Sequence, residues 1–244
     1  MASARAAQAA VEWAAAEGWN PGLDDRERFL AADPDSFLAT YRPGEIVATV
    51  SCALYGDAYA FIGFYIGRVD LRGQRLGLPL FERALARAGS RVVGLDAVLE
   101  QEATYRRSGF ATSHRNVRWR TTGGGRRPDG LVELSSLPFG ELLAFDAAVF
   151  GAERERFPRG WVDRGAGHAL ACVRDGRLTG YGVLRSCRVG AKVGPLFAED
   201  TAAVDVLLSG REWETTFETA RMYLNGRPPE DAERVYGVTT LEFG

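Results

Sequence analysis

Residues 59–66 read Tyr-Ala-Phe-Ile-Gly-Phe-Tyr-Ile, a nearly continuous apolar run. A strand with one wet face alternates apolar and polar side chains, so an unbroken run calls for a strand covered on both faces. The run leads into Arg72-Gly73-Gln74-Arg75-Leu76-Gly77. A helical pattern follows over residues 75–88, with Leu76, Leu80, Phe81 and Leu85 at helical spacing. A buried strand, a glycine turn and an amphipathic helix in that order restrict the chain to an α/β architecture.

The flanking sequence supplies the rest of such a unit. Residues 4–17 form an Ala-rich helix pattern ending at Gly18, and a short amphipathic helix runs through Phe29 and Leu30. Residues 37–41 and 46–54, joined by Arg42-Pro43-Gly44, read as a hairpin. A strand over 92–98, a short helix around Tyr105 and a strand over 113–120 complete the half. Gly123-Gly124-Gly125-Arg126-Arg127-Pro128 is a linker by composition. Beyond it, Leu170-Ala171, Arg174, Gly176 and Leu178 repeat Leu38-Ala39, Arg42, Gly44 and Ile46 at a constant offset of 132. Similar turns make unrelated hairpins look alike. The preceding helical sequence, residues 139–150, favours two copies of one unit. The expected division is 1–122, a linker over 123–129, and 130–244, and a chain of 244 residues accommodates two domains.

Composition excludes several functions. The formal net charge of −2 and the lack of a basic stripe speak against nucleic acid and anionic membranes as partners. Cys52, Cys172 and Cys187 are far apart, and His114 and His168 are the only histidines, so no metal site is expected. No signal peptide and no apolar run of membrane-spanning length are evident, which points to the cytoplasm. Lys192 is the sole lysine.

The 72–77 segment is where chemistry is expected. A glycine turn opening a helix presents unpaired N–H groups and the positive end of the helix dipole, which suit a pyrophosphate. Arg72 and Arg75 add charge-assisted donors. On these six residues alone, a phosphate cradle and an ordinary tight turn stand equally open. A Walker loop is ruled out by the missing Lys, and the dinucleotide fingerprint by its glycine spacing.

With Tyr105-Arg106-Arg107-Ser108-Gly109-Phe110 downstream, the sequence resembles the GNAT acetyltransferase superfamily. Its coenzyme signature, Gln/Arg-x-x-Gly-x-Gly/Ala, is matched at Arg72 and Gly77 and departs at Arg75. The Tyr-x-x-x-Gly-Phe segment is matched throughout. The surroundings suggest a subfamily of two tandem GNAT-like domains, each a mixed, mostly antiparallel sheet flanked by helices, the second degenerate. The resemblance implies acetyl-CoA as cosubstrate, with its pantetheine arm between two splayed strands along Tyr65, Ile66 and Gly67. A backbone N–H near Gly67 would face the thioester oxygen. Gly73, Gln74, Arg75, Leu76, Gly77 and Leu78 would hold the pyrophosphate, with Arg72 beside them. Tyr105 would protonate the departing thiolate, the alternative being a core tyrosine. Asp96, Glu100 and Glu102 flank the splayed strand, and none is singled out as the base.

The implied activity is transfer of an acetyl group to a primary amine of a small molecule or peptide by direct attack. The alternative is a non-catalytic acyl-CoA-binding or regulatory module. Trp19, Asn20, Phe29 and Tyr41 come from segments that usually line the family's acceptor cleft, where aromatic residues are as often core. In the second half a strand over 187–193 is expected to end at Gly194-Pro195, where proline, Glu199 and Asp200 disfavour a pyrophosphate. That half is therefore expected to bind no coenzyme. It would wall the acceptor cleft or form a homodimer surface through Phe157, Trp161 and Tyr181. The family's opening strand has no counterpart before the first helix, so either the start is cut short or another segment fills that sheet edge, and the strand–helix pair the family carries after Leu208 is either lost or left out of this sequence.

Overall fold

The computed structural model describes residues 2–122, 130–162, 167–208 and 214–244. The expected linker, 123–129, lies outside them. In chain order the elements are α1 (Ala2–Ala16), α2 (Asp25–Ala32), β1 (Phe37–Arg42), β2 (Glu45–Tyr55), β3 (Tyr59–Gly67), α3 (Leu78–Ala88), β4 (Val92–Val98), α4 (Glu102–Arg107) and β5 (Ala111–Arg120). There follow β6 (Leu131–Glu133), α5 (Phe139–Phe150), α6 (Arg156–Val162), β7 (Gly167–Arg174), β8 (Arg177–Ser186), β9 (Ala191–Ala198), α7 (Thr201–Leu208), β10 (Glu214–Leu224) and β11 (Val235–Gly237).

Two sheets result. The first has the order β1-β2-β3-β4-β10-β5 and the second β11-β9-β8-β7-β6. All pairings are antiparallel except β3 with β4. The apolar run is β3, an interior strand, as its composition requires. Its even side chains Ala60 and Ile62 pack with Leu80 and Phe81 of α3. Its odd ones, Tyr59 and Phe61, face a larger core shared with the second half. Helix α3 starts later than the hydrophobic pattern suggests, because Arg75 adopts φ +56° and the chain turns helical only after Gly77.

The internal repeat is structural. Arg42 pairs with Glu45, and Arg174 with Arg177, across matching two-residue turns. The register slips after Thr40 in one hairpin and after Cys172 in the other, again 132 residues apart. Strands β3 and β9 begin at Tyr59 and Ala191, at the same offset.

Three expectations change. The strand expected over 187–193 runs instead from Ala191 to Ala198 and includes Gly194-Pro195, because β9 is paired through this stretch with β8. Glu199 and Asp200 are held by Arg177 and Arg174, and Asp200 caps α7 by accepting from the Ala203 N–H at 3.0 Å. Phe157, Trp161 and Tyr181, expected at a dimer surface, are each about 2% exposed. They belong to the core, Phe157 and Trp161 against Phe29 at 6.3 Å between ring centres. Finally, the sheets do not divide at the linker. Strand β10, from the segment 130–244, inserts between β4 and β5 and pairs with both. Asp96 of β4, fully buried, receives a two-pronged ion pair from Arg221 of β10 at 2.8 Å.

Candidate active site

The site begins where β3 and β4 part. They pair from Tyr59–Val92 to Ile62–Leu95 and no further, while β4 stays paired with β10 as far as Val98. The cause lies in β3. Between Gly63 and Ile66 it carries an extra residue relative to β2, and buried Phe64 takes φ +48°. A bulge bends its strand and sharpens the local twist. Thr49 Oγ1 donates to the Phe64 carbonyl at 3.0 Å and satisfies an oxygen the ladder leaves over. Beyond the bulge, Arg68 N–H donates to Val47, which makes Ala48–Gly67 a non-hydrogen-bonded pair. The N–H and C=O of Gly67 consequently point away from β2, into the gap. Apart from its chain neighbours, nothing lies within 4 Å of a Cβ built on Gly67, so the sheet face over this residue is uncovered.

The 72–77 loop stands at the wide end of the gap. A turn over Val69–Leu71 leads to Gly73 at φ +80°, Arg75 at φ +56° and then α3, with Pro79 in its first turn. Among the described residues no carbonyl or side chain accepts from the N–H groups of Gly73, Gln74, Arg75, Leu76 or Gly77. Five free donors in succession at a helix start form an anion cradle. Gly77 rests on the Tyr65 ring; a Cβ there would come within 2.5 Å of the phenol oxygen. Arg72 turns back, its Nε donating to the Gly67 carbonyl at 3.1 Å and its guanidinium pairing with Glu17 of α1. Gln74 accepts weakly from Arg42 at 3.5 Å, and Leu78 is half exposed. The structure thus brings Tyr65, Ile66 and Gly67 together with Arg72 through Leu78 around one opening.

Tyr105 lies on α4, its ring against Phe81 at 5.7 Å and Phe110 at 6.0 Å. The segment from Tyr105 to Phe110 closes on itself through a Phe110 N–H to Tyr105 carbonyl bond of 3.1 Å, with Gly109 at φ +91° making the reversal. Among the described residues its hydroxyl has no hydrogen-bond partner. Burial, reinforced by Tyr65, raises the Tyr105 pKa well above that of an ordinary phenol. The acids near the gap fare differently. Asp96 is committed to Arg221 and also accepts from Asn116 at 2.8 Å. Glu102 is held by Thr112, Arg115 and Arg106, and these contacts, Thr112 first, lower its pKa. Glu100 is exposed.

On the face of the sheet away from α3, the second half meets the α1–α2 loop. Asn20 exchanges hydrogen bonds with Val189, at 2.8 and 3.1 Å. The Trp19 carbonyl accepts from Lys192 Nζ at 2.6 Å and from Arg118 at 3.4 Å. Burial lowers the pKa of both cations. Of the aromatic residues left open between cleft and core, Phe29 is fully buried core, and Tyr41 lies on the surface under Arg5. Lys192, Arg118 and Glu242 were not singled out by their sequence neighbourhood. The one available signal was Lys192 itself, a titratable cation in a chain that otherwise uses Arg. Among the described residues, no His, Cys, Asp and Glu side chains group as metal ligands, and no helix is long and apolar enough to cross a membrane.

Comparison with known proteins agrees with this geometry. Residues 4–110 match the acetyltransferase (GNAT) family, and residues 142–214 match an acetyltransferase (GNAT) domain. A holothin acyltransferase of Pseudoalteromonas sp. (strain SANK 73390) is 29% identical over 96% of this chain and 90% of its own length. A putative acetyltransferase from Pyrococcus horikoshii superposes with a TM-score of 0.77 at 22% identity, over 91% of this chain and 84% of that one. A GCN5-related N-acetyltransferase from Anabaena variabilis gives a TM-score of 0.52 at 13% identity, over 82% and 66%. With GNAT sequence signatures in both halves, and a strand gap beside an anion cradle in the first, the chain belongs to the GNAT acyltransferase superfamily as a tandem two-domain member.

Proposed function

We propose that this chain is an acetyl-CoA-dependent N-acetyltransferase acting on a primary amine of a small molecule or peptide, with its coenzyme site in the gap between β3 and β4. The observation that carries the reading is the parting of the two strands beyond Ile62 and Leu95, next to a loop with five unused N–H donors. Acetyl-CoA supplies an activated acetyl group as a thioester. The N–H groups of residues 73–77 and the start of α3 bind its pyrophosphate, with Arg75 adding charge. Gly67 and Tyr65 lie on the backbone edge turned away from β2 and face the pantetheine arm, with Ile66 between them paired to Thr49 of β2. The Gly67 N–H stabilises the negative charge that develops on the thioester oxygen. Tyr105 holds its proton until the sulfur leaves and then delivers it as the general acid.

Free thiol release from acetyl-CoA, followed with and without a panel of amines, tests the reading. Amine-dependent release supports it. Coenzyme binding by calorimetry with no release across the panel would support the binding-module alternative instead.

A further inference from the structure

Segment 239–244 crosses the first sheet at the point where the gap opens. Gly63 immediately follows Ile62, the last β3 residue paired with β4. The Glu242 carbonyl oxygen lies 2.0 Å from where a Gly63 Cβ would be, so glycine alone admits the segment there. The segment is rigid. Thr240 and Gly244 exchange backbone hydrogen bonds at 3.1 and 3.2 Å, and the Phe243 N–H donates to Thr240 Oγ1 at 2.8 Å. Phe243 is stacked on Phe29 at 4.1 Å, and its carbonyl accepts from Tyr55 at 2.6 Å.

This arrangement holds Glu242 in place while leaving its carboxylate unused. The residue is 5% exposed, yet among the described residues its carboxylate takes part in no hydrogen bond and no ion pair. Nor are its oxygens among the side-chain atoms sealed from solvent. A carboxylate so enclosed, touching solvent yet bonded to no protein group, is one that water or a ligand can complete. Arg118 of β5 and Lys192 of β9 interact electrostatically with it, and both also feel Arg185 and Cys187. Asp96 and Glu102, the other acids beside the gap, are already engaged by arginines.

We propose that Glu242 is the acceptor-side catalytic base, receiving the amine on the face of the sheet opposite α3. The inference rests on the acetyl-transfer reading above. As the C–N bond forms, Glu242 takes the proton leaving the amine nitrogen. The C–S bond breaks, and the sulfur takes the Tyr105 proton. Solvent then carries the proton from the carboxyl group back to the phenolate. Tyr105 packs beside Phe81 on the α3 face of the sheet, and the Glu242 segment lies on the other face, where Phe243 shares a core with Tyr59 and Phe61, so the two protons are handled from opposite faces. Lys192 and Arg118, each with N–H donors beyond those given to Trp19, would favour acceptors carrying a carbonyl or acidic oxygen near the amine.

The test is Glu242→Gln, which keeps size and leaves the main-chain contact over Gly63 intact. The expected result is a drop of roughly 10²–10⁴-fold in kcat/KM with acetyl-CoA affinity unchanged, and partial recovery in Glu242→Asp. The wild type should show an acidic limb in kcat/KM that stays in place when the acceptor is exchanged for an amine of lower pKa. Glu242→Gln with full turnover, or a wild-type limb that follows the acceptor, overturns this role alone. A wild type that releases no thiol with any amine overturns the acetyl-transfer reading and this role together.

Discussion

At the scale of single residues, Arg75 shows how a departure from a motif can preserve its geometry. The family signature carries glycine there, and Arg75 holds the backbone at φ +56°, the left-handed region glycine favours. For a side-chain-bearing residue this conformation costs about 1–2 kcal/mol. Arg75→Gly is therefore expected to leave stability within about 1 kcal/mol, the relief being offset by a freer unfolded chain. Arg75→Glu, at an exposed position, should weaken acetyl-CoA roughly tenfold with an unchanged melting temperature. Calorimetry beside a thermal melt checks both, and equal affinity in the Glu variant would remove the loop from the coenzyme site. Gly77→Leu is a poorer probe, since its side chain would collide with Tyr65 before reaching any ligand. For Tyr105, the phenylalanine variant keeps the packing against Phe81 and Phe110 and loses a hydroxyl that bonds to no described residue. Turnover should fall roughly 10²–10⁴-fold with stability within about 0.5 kcal/mol, and a stopped assay at saturating coenzyme measures it. The loop and Tyr105 were legible because local spacing fixes both. Glu242, Lys192 and Arg118 were not, because chain segments far apart in sequence bring them together.

At the scale of elements, legibility followed locality again. The strand over Val92–Val98 and the hairpins 132 residues apart agree with the sequence pattern, since turn chemistry and alternation are written within a few residues. Strand β9 was misplaced because Gly194-Pro195 reads as a break, whereas here it lies inside a paired strand. Strand β10 escaped notice for a different reason. Its buried stretch Ala220–Tyr223 is interrupted by Arg221, and that charge makes sense only beside Asp96, far upstream. The insertion has a measurable outcome. Strand β5 pairs with β10 and no other strand, so residues 1–122 expressed alone leave it without a partner and Asp96 without its guanidinium. Unpairing a buried charge costs about 3–5 kcal/mol, a large share of the roughly 5–15 kcal/mol that holds a domain folded, and the lost β10 ladder adds to it. We expect no cooperative melt by circular dichroism from that fragment, and a sigmoidal transition would contradict the account.

At the scale of the whole molecule, two copies of one unit have diverged in what they do with the edge of the third strand. In the first, β3 and β4 separate and leave a slot. In the second, β11 pairs antiparallel with β9 at Phe197 and Leu196 and occupies the equivalent edge. Calorimetry on the intact protein is therefore expected to find one acetyl-CoA per chain, and a stoichiometry of two would show that the second edge opens. The halves are also joined through a buried ion pair, Arg185 to Asp25 at 2.7 Å, and through the shared aromatic core around Phe29 and Phe243. The insertion of β10 sets a clock on biosynthesis as well. About 120 residues separate the end of β4 from the end of β10, which a ribosome working at ~5–20 residues per second covers in roughly 6–25 s. Over that interval β4 and β5 present bare edges to the crowded cell, the kind of surface on which nascent chains stick to one another. Strand β4 gains its second neighbour only when β10 has emerged, so a chain cut short before Glu214 is expected to show no amine-dependent thiol release.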